Sequence, residues 1–343
     1  MKTFMLVGDV SDNAGPSNVH RELIAHWPAE EELLVPRWSN AVSKLISVVV
    51  ASMRCDVLLT TGVGRLGAIA WEIARKRNVP VIVLVHGYLP YENEVNKLGY
   101  SPDFVQEWRK VLHDADIVAT NSEFHAACLR TAEPDIADRV RWFNLGVERF
   151  TPREHASHGD GITVAVSGGT RPIKANEVVA QAVALLQEQG HRVNLLVFGR
   201  GYSANAKLEE DIRTCSGRMM GQVTLNEFLD ILARTDVFVM NSRRESFGMS
   251  AIDALRGAHP FSFRATAGLR AFSRSRRGTS FPIARTRARS RERFCISYRS
   301  PTPSGCTTPW TLTCWDGTFR LVAFVKSAAR RLLPHQPEKH EAR

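Results

Sequence analysis

The sequence has no long apolar run. Its most apolar stretches, such as Val79–Val85, are strand-sized and far short of the ~20 residues a membrane helix requires. A signal-peptide pattern is missing too. Met1–Gly8 carries one lysine and a short apolar run closed by Asp9, with no small-residue cleavage site, so it reads as a first β-strand. The cysteines (Cys55, Cys128, Cys215, Cys295, Cys306 and Cys314) form no Cys-x-x-Cys pair and have no nearby histidine pairing. That spacing argues against a zinc site or a disulfide framework and fits reduced cytoplasmic thiols. These absences leave a soluble, cytoplasmic chain without a structural metal.

The length, 343 residues, exceeds one ordinary domain and suits two. With 44% hydrophobic and 8% aromatic residues the chain can bury sizeable cores, which excludes wholesale disorder. The net charge of +10 suggests nucleic acid until it is located. Residues 257–343 hold 17 basic and 4 acidic side chains, whereas residues 1–256 hold 28 basic and 31 acidic. The basicity belongs to the tail alone.

Residues 1–256 alternate strand-like and helix-like patterns with short loops, the arrangement of βαβ units and parallel sheets. Strands are predicted at Lys2–Gly8, Asp56–Thr60, Pro80–His86, Asp116–Asn121 and Arg139–Phe143. Helices are predicted at Ser17–His26, Leu66–Arg77, Pro102–His113 and Ser122–Thr131. A polar, turn-rich stretch at 148–161 reads as a linker. A second series follows: strand Ile162–Ser167, helix Ala175–Gln189 stopped by Gly190, and strand Arg192–Phe198. Strand Met219–Val223, helix Leu225–Ala233, strand Asp236–Met240 and helix Ser246–Arg256 complete it. The reading is an α/β protein with two Rossmann-like domains facing a cleft, at 1–147 and 162–260, the second apparently incomplete. Residues 261–343 form an atypical Arg/Ser-rich tail, expected to be disordered or poorly structured. Its basic residues are 15 Arg to 2 Lys, a bias that suggests a reading-frame change near Leu255–Pro260. The alternative is a genuine Arg/Ser-rich tail.

Chemistry concentrates at strand ends. After the strand Val237–Met240 comes Asn241-Ser-Arg-Arg-Glu245-Ser-Phe247-Gly248-Met249, then a helix. A helix tip there offers the free N–H groups of Phe247, Gly248 and Met249 to an anion, and Gly248 permits close backbone approach. The segment Ser167-Gly168-Gly169-Thr170-Arg171-Pro172-Ile173-Lys174 places a glycine turn before two cations that open a helix. Arg171 can grip a diphosphate bidentately and Lys174 can act on it as a point charge. His86 closes an apolar strand at the end where α/β proteins bind ligands. The loop Asp12–Asn18, with Gly15, is not a Gly-x-Gly-x-x-Gly dinucleotide fingerprint. Glu92, Asn93, Glu94 and Asn96 are polar groups suited to an acceptor, with no spacing to single one out.

Glu245-Ser-Phe-Gly-Met with Asp253 eight positions on resembles the Glu-x7-Glu signature of family 4 retaining glycosyltransferases of the GT-B fold. The resemblance spans about residues 1–260 and is strongest over 162–256. It implies that Glu245 contacts the transferred sugar and that Asp253 holds the ribose hydroxyls, one methylene shorter than the family's glutamate. It further implies that Arg171 and Lys174 stabilise the departing nucleoside diphosphate in place of a metal, and that His86 lies near the sugar. Gly15, Gly169 and Gly199 match the family's glycine turns around the nucleotide. The implied activity moves a hexosyl unit from a UDP- or GDP-sugar to a glycan or lipid-linked acceptor, with no cofactor, in the cytoplasm or at the inner face of the membrane. Two rivals stand beside it. One is an inactive remnant of such an enzyme with a frame-shifted C-terminus. The other is a nucleic-acid or acidic-surface binder acting through Arg264–Arg299, which lacks the interleaved aromatics that stack on bases. No specific nucleic-acid partner is expected.

Overall fold

The computed structural model describes residues 2–10, 15–36, 40–61, 64–143, 145, 161–201, 205–256 and 261–263. The chain divides into two compact units. Among the described residues, one comprises those up to 145 together with Glu245–Phe247, and the other those of 161–244 and 248–263. Among the described residues no helix is long and apolar enough to cross a membrane. Residues 148–160 of the linker, the loop residues Asp12–Ala14, residues 257–260 of the proposed frame-change region (Leu255–Pro260) and the basic tail from 264 onward lie outside the described residues.

The first unit carries a six-stranded, all-parallel sheet of β1 (Thr3–Val7), β2 (Glu32–Leu34), β3 (Val57–Thr60), β4 (Val81–Val85), β5 (Ile117–Thr120) and β6 (Val140–Trp142). The spatial order is β2-β1-β3-β4-β5-β6. Every residue of β3, β4 and β5 is buried, as expected of central parallel strands packed on both faces. Among the described residues, six α-helices connect the strands: α1 (Gly15–Ala25), α2 (Ala41–Arg54), α3 (Arg65–Lys76), α4 (Leu89–Asn96), α5 (Pro102–Asp114) and α6 (Glu123–Ala132). Three start on side-chain caps, with Asn40 in a capping box with Ser43, and Ser101 and Ser122 each accepting an N3 N–H.

The second unit repeats the plan with β7 (Ile162–Ser167), β8 (Val193–Phe198), β9 (Arg218–Gly221), β10 (Val237–Met240) and β11 (Phe261–Phe263) in the order β11-β10-β7-β8-β9, all parallel. Its helices are α7 (Asn176–Glu188), α8 (Ala206–Thr214), α9 (Leu225–Leu232) and α10 (Met249–Arg256). Strand β11 lies past residue 260, so the sheet continues one strand beyond the domain end read from the sequence.

One device fixes register in both sheets. Asp56, Asp116 and Asp236 each precede a strand, and each carboxylate accepts the backbone N–H of a residue on the neighbouring strand: Thr3 at 2.8 Å, Val81 at 2.8 Å and Thr163 at 2.7 Å. Each aspartate's own N–H donates to the carbonyl of that same partner. The paired bonds hold the start of β3 against β1, of β5 against β4, and of β10 against β7. Hydrogen bonds to an ionised acceptor are the stronger kind, so a one-residue slip at these points is costly.

Candidate functional site

In the second unit, the turn after β7 is held backbone to backbone against the turn after β8. Gly168 and Gly169 adopt left-handed conformations (φ 92° and 61°), as does Gly199 (φ 116°). The Gly169 N–H donates to the Phe198 carbonyl at 2.7 Å, and the Thr170 N–H to the Arg200 carbonyl at 3.2 Å. A Cβ on Gly169 would lie 1.9 Å from the Arg200 carbonyl oxygen, and one on Gly199 would lie 2.6 Å from the Gly169 nitrogen. Glycine is therefore required at both positions by sterics as well as by backbone conformation. At Gly168 a Cβ would strike the Lys174 side chain 2.4 Å from its Cγ, so the lysine stem lies across this glycine.

The cations do not open the long helix directly. Pro172–Lys174 forms a single 3-10 turn, Ala175 takes a left-handed conformation (φ 50°), and α7 starts only at Asn176. The Asn176 amide donates to the carbonyls of Ser167 (3.1 Å) and Gly169 (2.8 Å), tying the glycine turn to the start of α7. The loop after β10 is bound to this same turn. The Arg243 N–H donates to the Ile173 carbonyl at 2.8 Å, and the buried Asn241 amide to the Ala175 carbonyl at 3.0 Å. Arg243 adds an Nε–H bond to the Pro172 carbonyl at 3.2 Å and an ion pair with Glu177. Two segments singled out separately in the sequence are thus one structural feature.

Helix α10 begins later than its sequence pattern suggested. Phe247 is fully buried, Gly248 is left-handed (φ 99°), and the first helical residue is Met249. The helix-tip donors therefore shift from Phe247 and Gly248 to Met249 and Ser250, while the Ala251 N–H donates to the Gly248 carbonyl at 3.0 Å. Asp253 sits one turn into the helix. Burial pushes its carboxyl up to about 6, against the pull of Arg256 at 3.8 Å. Gly199 also borders a cavity of about 360 Å³ lined by Arg200, Gly201, Glu209, Met219 and Gln222.

In the first unit, His86 and Gly87 follow β4 and line a cavity of about 170 Å³, together with Pro16, Thr61, Glu92 and Trp108. The Glu92 carboxylate packs onto Gly87, where a Cβ would come within 1.8 Å of it. Of the polar groups on α4, Glu92 is thus the one at the cavity. Asn93 exchanges hydrogen bonds with the Tyr100 backbone, and Asn96 is buried. Burial pushes the His86 imidazole down to about 3, reinforced by the nearby His20 and His125. His20, which no sequence motif marked, is buried on α1 with its Nε2 at 3.1 Å from the Nε2 of His86. Gly15 is exposed at the start of α1, with open space where a Cβ would go. Glu245–Phe247 groups with this unit, where the Ser122 hydroxyl donates to the Ser246 carbonyl. Among the described residues, no group of three or more His, Cys, Asp or Glu could hold a metal ion.

Comparison with known proteins adds to this geometry. The sequence matches the family described as family 4 glycosyltransferases in conflict systems over residues 59–288. No curated protein sequence matches the chain. Its fold is similar to that of Anabaena HepE, solved with UDP and glucose (TM-score 0.56, 12% identity, 80% of this chain and 82% of that one). It is also similar to a sucrose-phosphate synthase from Thermosynechococcus elongatus (TM-score 0.60, 16% identity, 79% and 83%). A third similar fold is that of WaaG, a glycosyltransferase of lipopolysaccharide biosynthesis (TM-score 0.56, 10% identity, 79% and 83%).

Proposed function

The chain belongs to the family 4 glycosyltransferases found in conflict systems, and we propose that it moves a hexosyl unit from a nucleotide-diphosphate sugar to an acceptor hydroxyl with retention at the anomeric carbon. The observation that carries this reading is the Arg243–Ile173 backbone bond, which joins the cationic turn to the loop leading toward Glu245. A glycosyl transfer needs a stabilised diphosphate leaving group and a stabilised electron-poor anomeric carbon. Arg171 and Lys174, held beside a glycine turn whose backbone is bonded to the turn after β8, supply positive charge for the first, by preorganised electrostatics that need no metal. The first-turn N–H groups of α10 add to it. Glu245 orients the transferred sugar and His86 accepts a hydrogen bond from one of its hydroxyls.

The nucleoside is assigned to the second unit. Asp253, held largely out of water, suits the paired hydroxyls of a ribose, and the cavity beside Gly199 suits a base. A UDP-sugar donor is supported by the similar fold of HepE, whose structure holds UDP and glucose. A GDP-sugar meets the same phosphate and ribose requirements. The acceptor is a glycan or a lipid-linked hydroxyl, the latter reached by peripheral association of a cytoplasmic enzyme with the membrane.

The test is nucleotide release from a panel of UDP- and GDP-sugars, with and without EDTA, followed by the anomeric configuration of the product. The expected result is release from one donor, undiminished by EDTA, with retained configuration. Inversion contradicts the retaining assignment and loss of release in EDTA contradicts the metal-free one. No release from any donor supports an inactive remnant instead.

A further inference from the structure

The contacts around His86 assign a protonation pattern to two histidines. The Nδ1 of His20 lies 2.7 Å from the backbone carbonyl of Asp9. A carbonyl oxygen only accepts, so His20 Nδ1 carries the proton. Burial lowers the pKa of His20 and so favours the neutral ring, in which Nε2 is an acceptor. That nitrogen meets the Nε2 of His86 at 3.1 Å. Two acceptors cannot face each other at this distance, so His86 Nε2 carries the proton and donates. His86 is itself neutral, so its remaining nitrogen, Nδ1, is an unprotonated acceptor on a ring that lines the cavity.

We infer that His20 is a positioning residue: it fixes His86 as the Nε2–H tautomer, so that Nδ1 is offered as the acceptor for a hydroxyl of the transferred sugar. The inference rests on the assignment of His86 to sugar contact made above. The surroundings are built for this arrangement. The His20 ring fills the space over Gly8, where a Cβ would come within 2.7 Å of its Cε1, so any larger residue at position 8 displaces the ring. The rings of His20 and His86 pack edge to face with centroids 5.1 Å apart, which fixes their mutual orientation. On the side of α6, His125 is held through Nδ1 by the Thr120 hydroxyl at 2.5 Å. A metal-ligating histidine is oriented by the group its second nitrogen contacts; here the same principle positions a substrate acceptor.

The experiment has a spectroscopic arm and a kinetic arm, both on the full chain. Long-range ¹H–¹⁵N spectra of histidine-labelled protein, with His86 and His20 assigned by His86→Gln and His20→Gln, report each tautomer between pH 5 and 8. The expected result is His20 as Nδ1–H and His86 as Nε2–H across the range, with no titration of His86. His86 as Nδ1–H, or as imidazolium within the range, overturns the inference. Kinetically, His20→Leu removes the acceptor and is expected to lower kcat about tenfold, the worth of one misaligned hydrogen bond, with a smaller change in KM for the donor. His20→Gln, whose side-chain oxygen replaces the acceptor, is expected to recover most of the loss and guards against a folding defect in the leucine variant. Turnover unchanged in both His20→Leu and His86→Ala, with the tautomers as stated, overturns the sugar-contact assignment on which the inference rests.

Discussion

The backbone N–H of Arg243 and the carbonyl of Ile173 are bonded at 2.8 Å, and this contact joins the loop after β10 to the turn after β7, the two loops to which the proposed diphosphate site is assigned. One loop presents Arg171 and Lys174 on a 3-10 turn. The other runs from β10 through Arg243 toward Glu245. Because the link is between main chains, it specifies a geometry without specifying a side chain at position 243, and the exposed Arg243–Glu177 pair adds little to it.

Gly169 and Gly199 are required by the packing of the second unit, whereas Gly15 has open space where a Cβ would go. Gly169→Ala drives a methyl to 1.9 Å from the Arg200 carbonyl at a residue with φ 61°. It is expected to cost about 2 kcal/mol or more of stability in denaturant unfolding. Gly15→Ala meets open space and is expected to change stability by less than about 0.5 kcal/mol, so any effect it has should appear in KM for the donor.

Asp253 is expected to trade stability for binding. Its carboxyl is raised to about 6 from 3.8 by burial. For an acid with a raised folded pKa, stability is fullest below the unfolded value and declines as pH rises to the folded one. Asp253→Asn removes that decline. It is expected to unfold at higher denaturant than the parent at pH 8, by up to about 3 kcal/mol, and to match it near pH 4. The same variant is expected to bind UDP more weakly at pH 8. Weaker stability with undiminished UDP binding would contradict both halves of the assignment.

Glu133 anchors the loop behind His86. Burial pushes its carboxyl up, but hydrogen bonds from the Tyr88 hydroxyl (2.6 Å) and His113 (3.1 Å), with Arg109 at 3.0 Å, outweigh this and lower it. A depressed carboxylate contributes stability that is present above its unfolded value of about 4.3 and is lost as pH falls through the folded value. Glu133→Gln is therefore expected to cost about 1.5–3 kcal/mol at pH 7. The gap should narrow as the pH is lowered into the acid range, read by urea unfolding at a series of pH values.

The sequence revealed the strands better than the helices, for a physical reason. Asp56, Asp116 and Asp236 each stand before a short apolar run, a pattern that is visible in one dimension because the aspartate's partner is the strand beside it. Helix α2 escaped notice because it is apolar on two faces. Val48, Ala51 and Ser52 face the core, whereas Val42, Ile46, Val50 and Met53 are exposed, so no single stripe repeats at helical spacing. The start of α7 at Asn176 depends on the left-handed Ala175, a conformation that alanine gives no hint of. Of the candidate site, the sequence marked the glycine turn before Arg171 and Lys174 and the turn at Gly248, and the structure shows left-handed glycines at both. His20 was not marked, since a histidine beside Ser17 and Leu23 on a buried helix face reads as core until its partner is seen.

The most direct test of the account is a calorimetric titration of UDP, in EDTA, into the parent chain and into the Arg171→Ala/Lys174→Ala double variant. Two charge-assisted contacts to a diphosphate are each worth about 1.5–3 kcal/mol, so the double variant is expected to bind at least about a hundredfold more weakly while unfolding at the same denaturant concentration. Equal affinity in the two proteins would contradict the assignment of the leaving diphosphate to these cations.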